Sequence, residues 1–199
     1  MGNNKGFTMI ELLSAIVVLG ILMGTAVPTV INIMNDQKND TYIEDAIRLA
    51  SSADYKMRSD NKIEIPERNG GCVVMTLSYM DNNAFSKAPY GGQYDKEASF
   101  VVASRNAKGE EEEYQYYVVL IEKTETGSYR GVNLVESNLL YADDARDKYV
   151  ENVGASALII PGDLSTVDLI SDLRSINNTI CSKGISGVYF IDVIEDVTE

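Results

Sequence analysis

Four groups in this 199-residue chain have the residue types for chemistry: Glu11, Cys72 with Cys181, the run Glu110 to Glu113, and Asp143, Asp144 and Asp147. There is no histidine, which removes the commonest general base, the commonest metal ligand and every histidine-containing triad. Two cysteines alone cannot complete a four-ligand zinc cage. Consecutive carboxylates at residues 110–113 point to alternate faces of a strand rather than converging as a calcium loop requires, so a solvated loop is the expected reading. The three aspartates at 143–147 suit the start of a helix, where the dipole favours negative charge. No phosphate-binding glycine loop, nucleophile elbow or metal-ligand constellation occurs. No cofactor and no catalytic role follow from these residues, and the expectation is that the chain is not an enzyme.

Glu11 is different because of its surroundings. No charged side chain occurs from residue 12 to residue 35, and most residues there are Leu, Ile, Val, Met or Ala. At helical rise the run spans the roughly 30 Å hydrocarbon core of a bilayer. Acids follow it and few cations lie near, so the short N-terminus stays cytoplasmic and the remainder is exported. A carboxylate at bilayer depth costs a few kcal/mol, about 2.5–3.5 on insertion scales, and calls for a partner. No Lys or Arg lies within the run to serve. A cut between Gly6 and Phe7 would create an α-amino group four residues away, about one helical turn. A signal peptide with Gly24-Thr25-Ala26 as its cleavage site explains neither Glu11 nor the apolar residues beyond it. A plain anchor explains the length but not the acid, and myristoylation fails because Gly6 stands where Ser or Thr is needed.

The string Lys5-Gly6-Phe7-Thr8-Met9-Ile10-Glu11-Leu12-Leu13 resembles the class III signal of type IV prepilins, and Pro28 also matches that family's pattern. The resemblance covers about the first 30 residues. It implies cleavage after Gly6 by a prepilin peptidase, N-methylation of Phe7 and a need for Glu11 in assembly. It also implies a pilus assembly ATPase and a platform protein as partners. Gly20 and Gly24 weaken the helix by about 1 kcal/mol each relative to Ala, and Pro28 removes a backbone donor. Their Gly-x-x-x-Gly spacing permits close helix contact in a membrane. Pilins lose helix between such positions on entering the filament, which makes residues 20–28 the expected melted stretch; a mildly kinked anchor is the other reading.

The elements that carry these groups follow from periodicity. Ile43, Ala46, Ile47, Ala50 and Met57 fall on one helical stripe, with Asp40, Glu44, Asp45, Arg48, Ser51, Ser52 and Asp54 on other faces. One helix is expected over residues 7–57, roughly 75 Å long, with residues 7–35 in the membrane or filament core, after a leader at 1–6. Residues 58–199 form the head. Strands are expected at 72–79, 99–104, 114–122, 129–135, 157–160 and 187–194. Turns at 106–109 and 124–127 make a three-stranded antiparallel meander that lays one face on the helix stripe. Residues 142–153 are expected helical. Ser165 with Asp168 opens a helix carrying Val167, Leu169, Ile170, Leu173 and Ile176. The fold class is α+β: a long N-terminal α-helix packed against an antiparallel β-sheet head, with a C-terminal α/β elaboration.

Cys72 and Cys181 are 109 residues apart in a part expected outside the cytoplasm. A bridge would contribute up to about 4.7 kcal/mol in the chain-entropy model. Spacing fixes no connectivity, so two separate buried thiols are the alternative to the expected bridge. The twelve tyrosines, including Tyr114, Tyr116 and Tyr117, are expected mainly to pack.

The expected function is a pilin: a membrane precursor, processed and polymerised with copies of itself into an extracellular filament for adhesion or motility. A net charge of −13 leaves no expected nucleic-acid surface. A pseudopilin of type II secretion or DNA uptake shares this N-terminus, and a membrane-anchored binding module is the alternative of another class.

Overall fold

A computed structural model describes residues 6–80, 85, 87–106 and 113–190. The chain divides into two compact units, residues 1–38 and residues 39–199. Helix α1 (Met9–Ser59) contributes its N-terminal part to the first unit and its C-terminal part to the second. The rest of the second unit is β1 (Cys72–Thr76), α2 (Leu77–Met80), β2 (Gln93–Tyr94), β3 (Phe100–Arg105), β4 (Tyr114–Lys123), β5 (Tyr129–Glu136), a 3₁₀ turn (Ser137–Tyr141), α3 (Ala145–Tyr149), β6 (Val150–Val153), α4 (Thr166–Ile176) and β7 (Ile185–Tyr189).

The sheet runs β6-β5-β4-β3-β1-β7, with β2 paired to the end of β4. Every pairing is antiparallel except β1 with β7, which is parallel. A parallel pair needs a crossover, and α4 lies on the return path to β7. The sheet is apolar on both faces, and alternation sorts its side chains. Val73, Met75, Val101, Ala103, Val118 and Leu120 join Tyr42, Ala46, Leu49, Ala53 and Met57 of α1 in one core. Val74, Phe100, Val102, Val119 and Ile121 face Leu169 and Leu173 of α4 in a second. The expected meander is β3-β4-β5, closed at one end by Thr124–Ser128 with Gly127 at φ +81°. The turn expected at 107–109, the acids at 110–112 and the end of the last expected strand at 191–194 lie outside the described residues.

The second unit departs from the sequence-based expectation in several places. The strand expected over 72–79 ends at Thr76, and Leu77–Met80 turns into the short helix α2. Residues 142–153 are not one helix: α3 ends at Tyr149, and Val150–Val153 pairs with the free edge of β5. Open ladder groups on β5 and two β-branched residues buried one in each core, Val150 and Val153, outweigh local helix preference. Residues 157–160 form no strand; a 3₁₀ turn ends at Ala157 and Ile159 is buried beside α4. Val167 stands 76% exposed on α4, whose core contacts are Leu169 and Leu173. The Ser165 cap is present: its hydroxyl accepts the Asp168 N–H at 3.2 Å and donates to the Asp168 carboxylate at 2.6 Å.

Asp45 is also not on a polar face. It is 8% exposed and accepts the Tyr94 hydroxyl at 2.8 Å. It is one of a series of polar ties under α1. The Tyr90 hydroxyl donates to Asn39, Tyr116 to Asp54 and Tyr79 to Asp60. Glu122 of β4, 0% exposed, accepts the Tyr42 hydroxyl, the Gly92 N–H at 2.8 Å and the Tyr90 N–H at 3.2 Å. A buried carboxylate is tolerated only with such donors around it. Gly131, opposite the bulge at Val118/Leu120, has no room for a side chain because a Cβ would collide with the Leu120 carbonyl.

Two predictions follow from this docking. Tyr42→Phe keeps the ring but strips one donor from a buried carboxylate, so stability in urea unfolding is expected to fall by about 1–3 kcal/mol. Burial, reinforced by the facing carboxylates, pushes the Tyr42, Tyr94, Tyr116 and Tyr79 phenols well above their ordinary value. A raised folded-state pKa gives stability that is complete below the unfolded value of about 10 and is lost as pH rises beyond it. Unfolding free energy in detergent solution should therefore hold up to about pH 10 and then decline. Absorbance titration should show these four phenols ionising only with unfolding.

Candidate functional site

The first unit is a helix with nothing of its own to bury it. Every residue from 6 to 35 is exposed, including Phe7 at 89%, and the apolar side chains surround the axis on all sides. Among the described residues α1 is the one helix long and apolar enough to cross a membrane, and none of that stretch is covered by the chain itself. A helix apolar all round needs lipid or other apolar helices. Ser14, Thr25 and Thr29 do not contradict this. Their hydroxyls donate back to the carbonyls of Ile10, Leu22 and Thr25, at 2.7, 3.1 and 3.3 Å.

Glu11 is the third residue of α1 and closes a capping box with Thr8. The Thr8 N–H donates to Glu11 Oε2 at 2.8 Å, and the Thr8 hydroxyl donates to the same oxygen at 2.7 Å. The Glu11 N–H donates in turn to Thr8 Oγ1 at 3.4 Å. Two otherwise unsatisfied helix-start donors find partners inside the chain. Among the described residues the carboxylate gains hydrogen bonds but no opposite charge, so its cost in an apolar medium is reduced rather than removed. Thr8 is the functional neighbour that attention to charge alone overlooks. Its signal, Thr-x-x-Glu ahead of an apolar run, is present in the sequence.

Gly6 and Phe7 precede the helix outside any regular element. Residues 1–5 lie outside the described residues. Gly20, Gly24 and Pro28 all lie within continuous helix in the single chain. A Cβ at Gly20 or Gly24 would meet nothing within 4 Å, so no contact inside the chain requires glycine there. Pro28 lacks the N–H that would bond the Gly24 carbonyl, which leaves one rung of the helix missing beside two weak helix formers.

Cys72 and Cys181 are joined in a disulfide with Cα atoms 5.2 Å apart. It ties the segment before β7 to the start of β1. The Cys72 N–H donates to the Gly184 carbonyl, and the Ser186 hydroxyl donates to the Cys72 carbonyl. Asp144 stands at the N-cap position of α3 without a side-chain capping bond, and Asp147 lies in the first turn. Glu113, the described member of the acid run, borders a polar cleft of about 340 Å³ with Asp54, Arg58 and Asn138. Among the described residues no group of three or more His, Cys, Asp or Glu is placed to hold a metal.

The comparisons bear on this N-terminal site. Residues 1–27 match the family model of the prokaryotic N-terminal methylation motif, the class III signal of type IV pilin-like proteins. No curated protein and no solved structure matches the chain. The motif is that of type IV pilin-like and pseudopilin-like precursors. In proteins that carry it, it goes with processing by a prepilin peptidase and assembly into pilus-like polymers.

Thr8→Val should remove both hydroxyl bonds of the capping box. The expected loss is about 0.5–2 kcal/mol in the first helical turn, read as faster amide exchange at residues 9–12 in micelles. Thr8→Ser should restore protection.

Proposed function

We propose that this chain is the structural subunit of a type IV pilus. The observation that supports this reading most directly is Glu11, an acid at the start of a helix that is apolar and uncovered on every side. In the proposed sequence of events the precursor waits in the membrane while the peptidase removes residues 1–6. The new amine of Phe7 and the carboxylate of Glu11 then supply opposite charges at one level of the helix. The pairing runs between neighbouring subunits, where it neutralises both groups inside a core of apolar helices and sets axial register. An unpaired charge at that depth is costly, so misregistered subunits are rejected.

The stretch Gly20 to Pro28 is the proposed place where the helix loosens as subunits enter the filament, since one hydrogen bond is already missing there. The assembly ATPase and platform protein are partners on this reading, and the mature subunit belongs to an extracellular filament.

Two experiments test the proposal. Protein sheared from the cell surface should begin at N-methylated Phe7 by N-terminal sequencing and intact mass. A chain beginning at Met1 and confined to membranes would overturn the reading. Glu11→Ala and Glu11→Gln should leave the precursor in the membrane while abolishing sheared filaments. Normal filaments from either variant would sink the proposed pairing.

A further inference from the structure

Within the second unit α1 turns one stripe to solvent. Asp40, Glu44, Arg48, Ser51, Tyr55 and Arg58 are all exposed, at spacings of four, four, three, four and three. Signs along this stripe are sorted: both acids lie at its N-terminal end and the bases follow. Lys62, exposed in the turn after the helix, extends the basic end. Between Arg48 and Arg58 stands Tyr55, a ring 69% exposed on a helix whose other large head-side residues are in the core or half-buried.

The charges have local partners. Asp40 meets Arg146 at 3.2 Å, Arg48 meets Asp45 at 3.4 Å and Arg58 meets Asp54 at 3.0 Å. The Asp40 and Arg58 pairs are solvent-exposed enough to exchange partners at little cost, whereas Arg48 is held by the buried Asp45. The chain as a whole carries −13, so two copies repel unless their contact sets cations against anions. The segment from Ala46 to Arg68 opposes that balance, with five Lys or Arg against four Asp or Glu.

We infer that this stripe is an interface with a second copy of the chain, the basic end of one stripe facing the acidic end of its neighbour's. The inference rests on the filament reading above and adds to it a surface and a register. A helical polymer needs two different, complementary patches on each subunit, and the two ends of the stripe supply them. Copies anchored through the same N-terminal span share one polarity, which removes the antiparallel pairing. Parallel stripes at one level would set acid against acid and base against base. Complementarity returns only when one copy is displaced along the axis. Glu44 and Arg58 are 14 positions apart, so the displacement is about 21 Å. At that displacement Tyr55, three positions before Arg58, falls between the levels of Asp40 and Glu44 of the neighbour, where its ring is covered as aromatic residues commonly are in interfaces.

Native filaments treated with a zero-length carbodiimide cross-linker and mapped by mass spectrometry test this directly. The expected product joins Lys62 to Glu44, which at that displacement lie about 6 Å apart along the axis. Along one chain Glu44 and the end of α1 at Ser59 are already about 22 Å apart, so the link forms between copies. Arg58→Glu with Lys62→Glu should cut filament yield roughly tenfold or more by setting like charges together. Adding Asp40→Lys and Glu44→Lys should restore it. Wild-type filaments with no such link, and a yield unmoved by charge reversal, would overturn the interface and leave the filament reading standing. Absence of wild-type filaments would overturn both.

Discussion

Glu11 begins an apolar helix that has no covering of its own, and the cost of a carboxylate in such a medium constrains everything attached to it. Thr8 supplies two hydrogen bonds to Glu11 Oε2, which makes the acid tolerable in a membrane without cancelling its charge. The capping box and an ion pair therefore suit different situations. The first needs only the chain itself and fits a waiting precursor. The second needs a cation that the apolar run lacks, and under the proposal it comes from a cut chain next door.

The second unit solves a different problem with the same helix. There α1 is amphipathic and lies on one face of a sheet whose other face is covered by α4. Apolar contacts supply most of the contact area, but they are not directional. The hydroxyls of Tyr42, Tyr79, Tyr94 and Tyr116 add directionality, because each meets one carboxylate. A slip of the helix along the sheet would leave Asp45 and Glu122 buried without these donors, at a cost well above that of a lost apolar contact. The disulfide and the parallel β1–β7 pair hold the α4 layer in a comparable way, by joining distant segments at the edge of the sheet.

Much of the local structure was legible because local signals and packing agree. The helix over α1, the β3-β4-β5 meander and the Ser165 cap each combine a strong periodic pattern with a recognisable start or turn. Residues 142–153 misled because a short segment with helical composition met an open strand edge, and pairing with β5 outweighed propensity. Asp45 misled because charge normally marks a solvent face. The Tyr94 hydroxyl, 49 residues away, joins Arg48 on the same helix in making its burial tolerable. Val167 fits the helical apolar pattern, yet two leucines already fill the space under α4.

What the sequence determined by itself is the N-terminal chemistry. A charge inside an apolar run, a Thr-x-x-Glu cap and a glycine before Phe7 lie within one or two helical turns, so adjacency in the chain is enough to read them. The tertiary structure decided which carboxylates are buried, how the sheet is ordered and which stripe of α1 remains outside. Those outcomes depend on residues that meet across tens to more than a hundred positions, and no local pattern encodes which donor or edge will be waiting there.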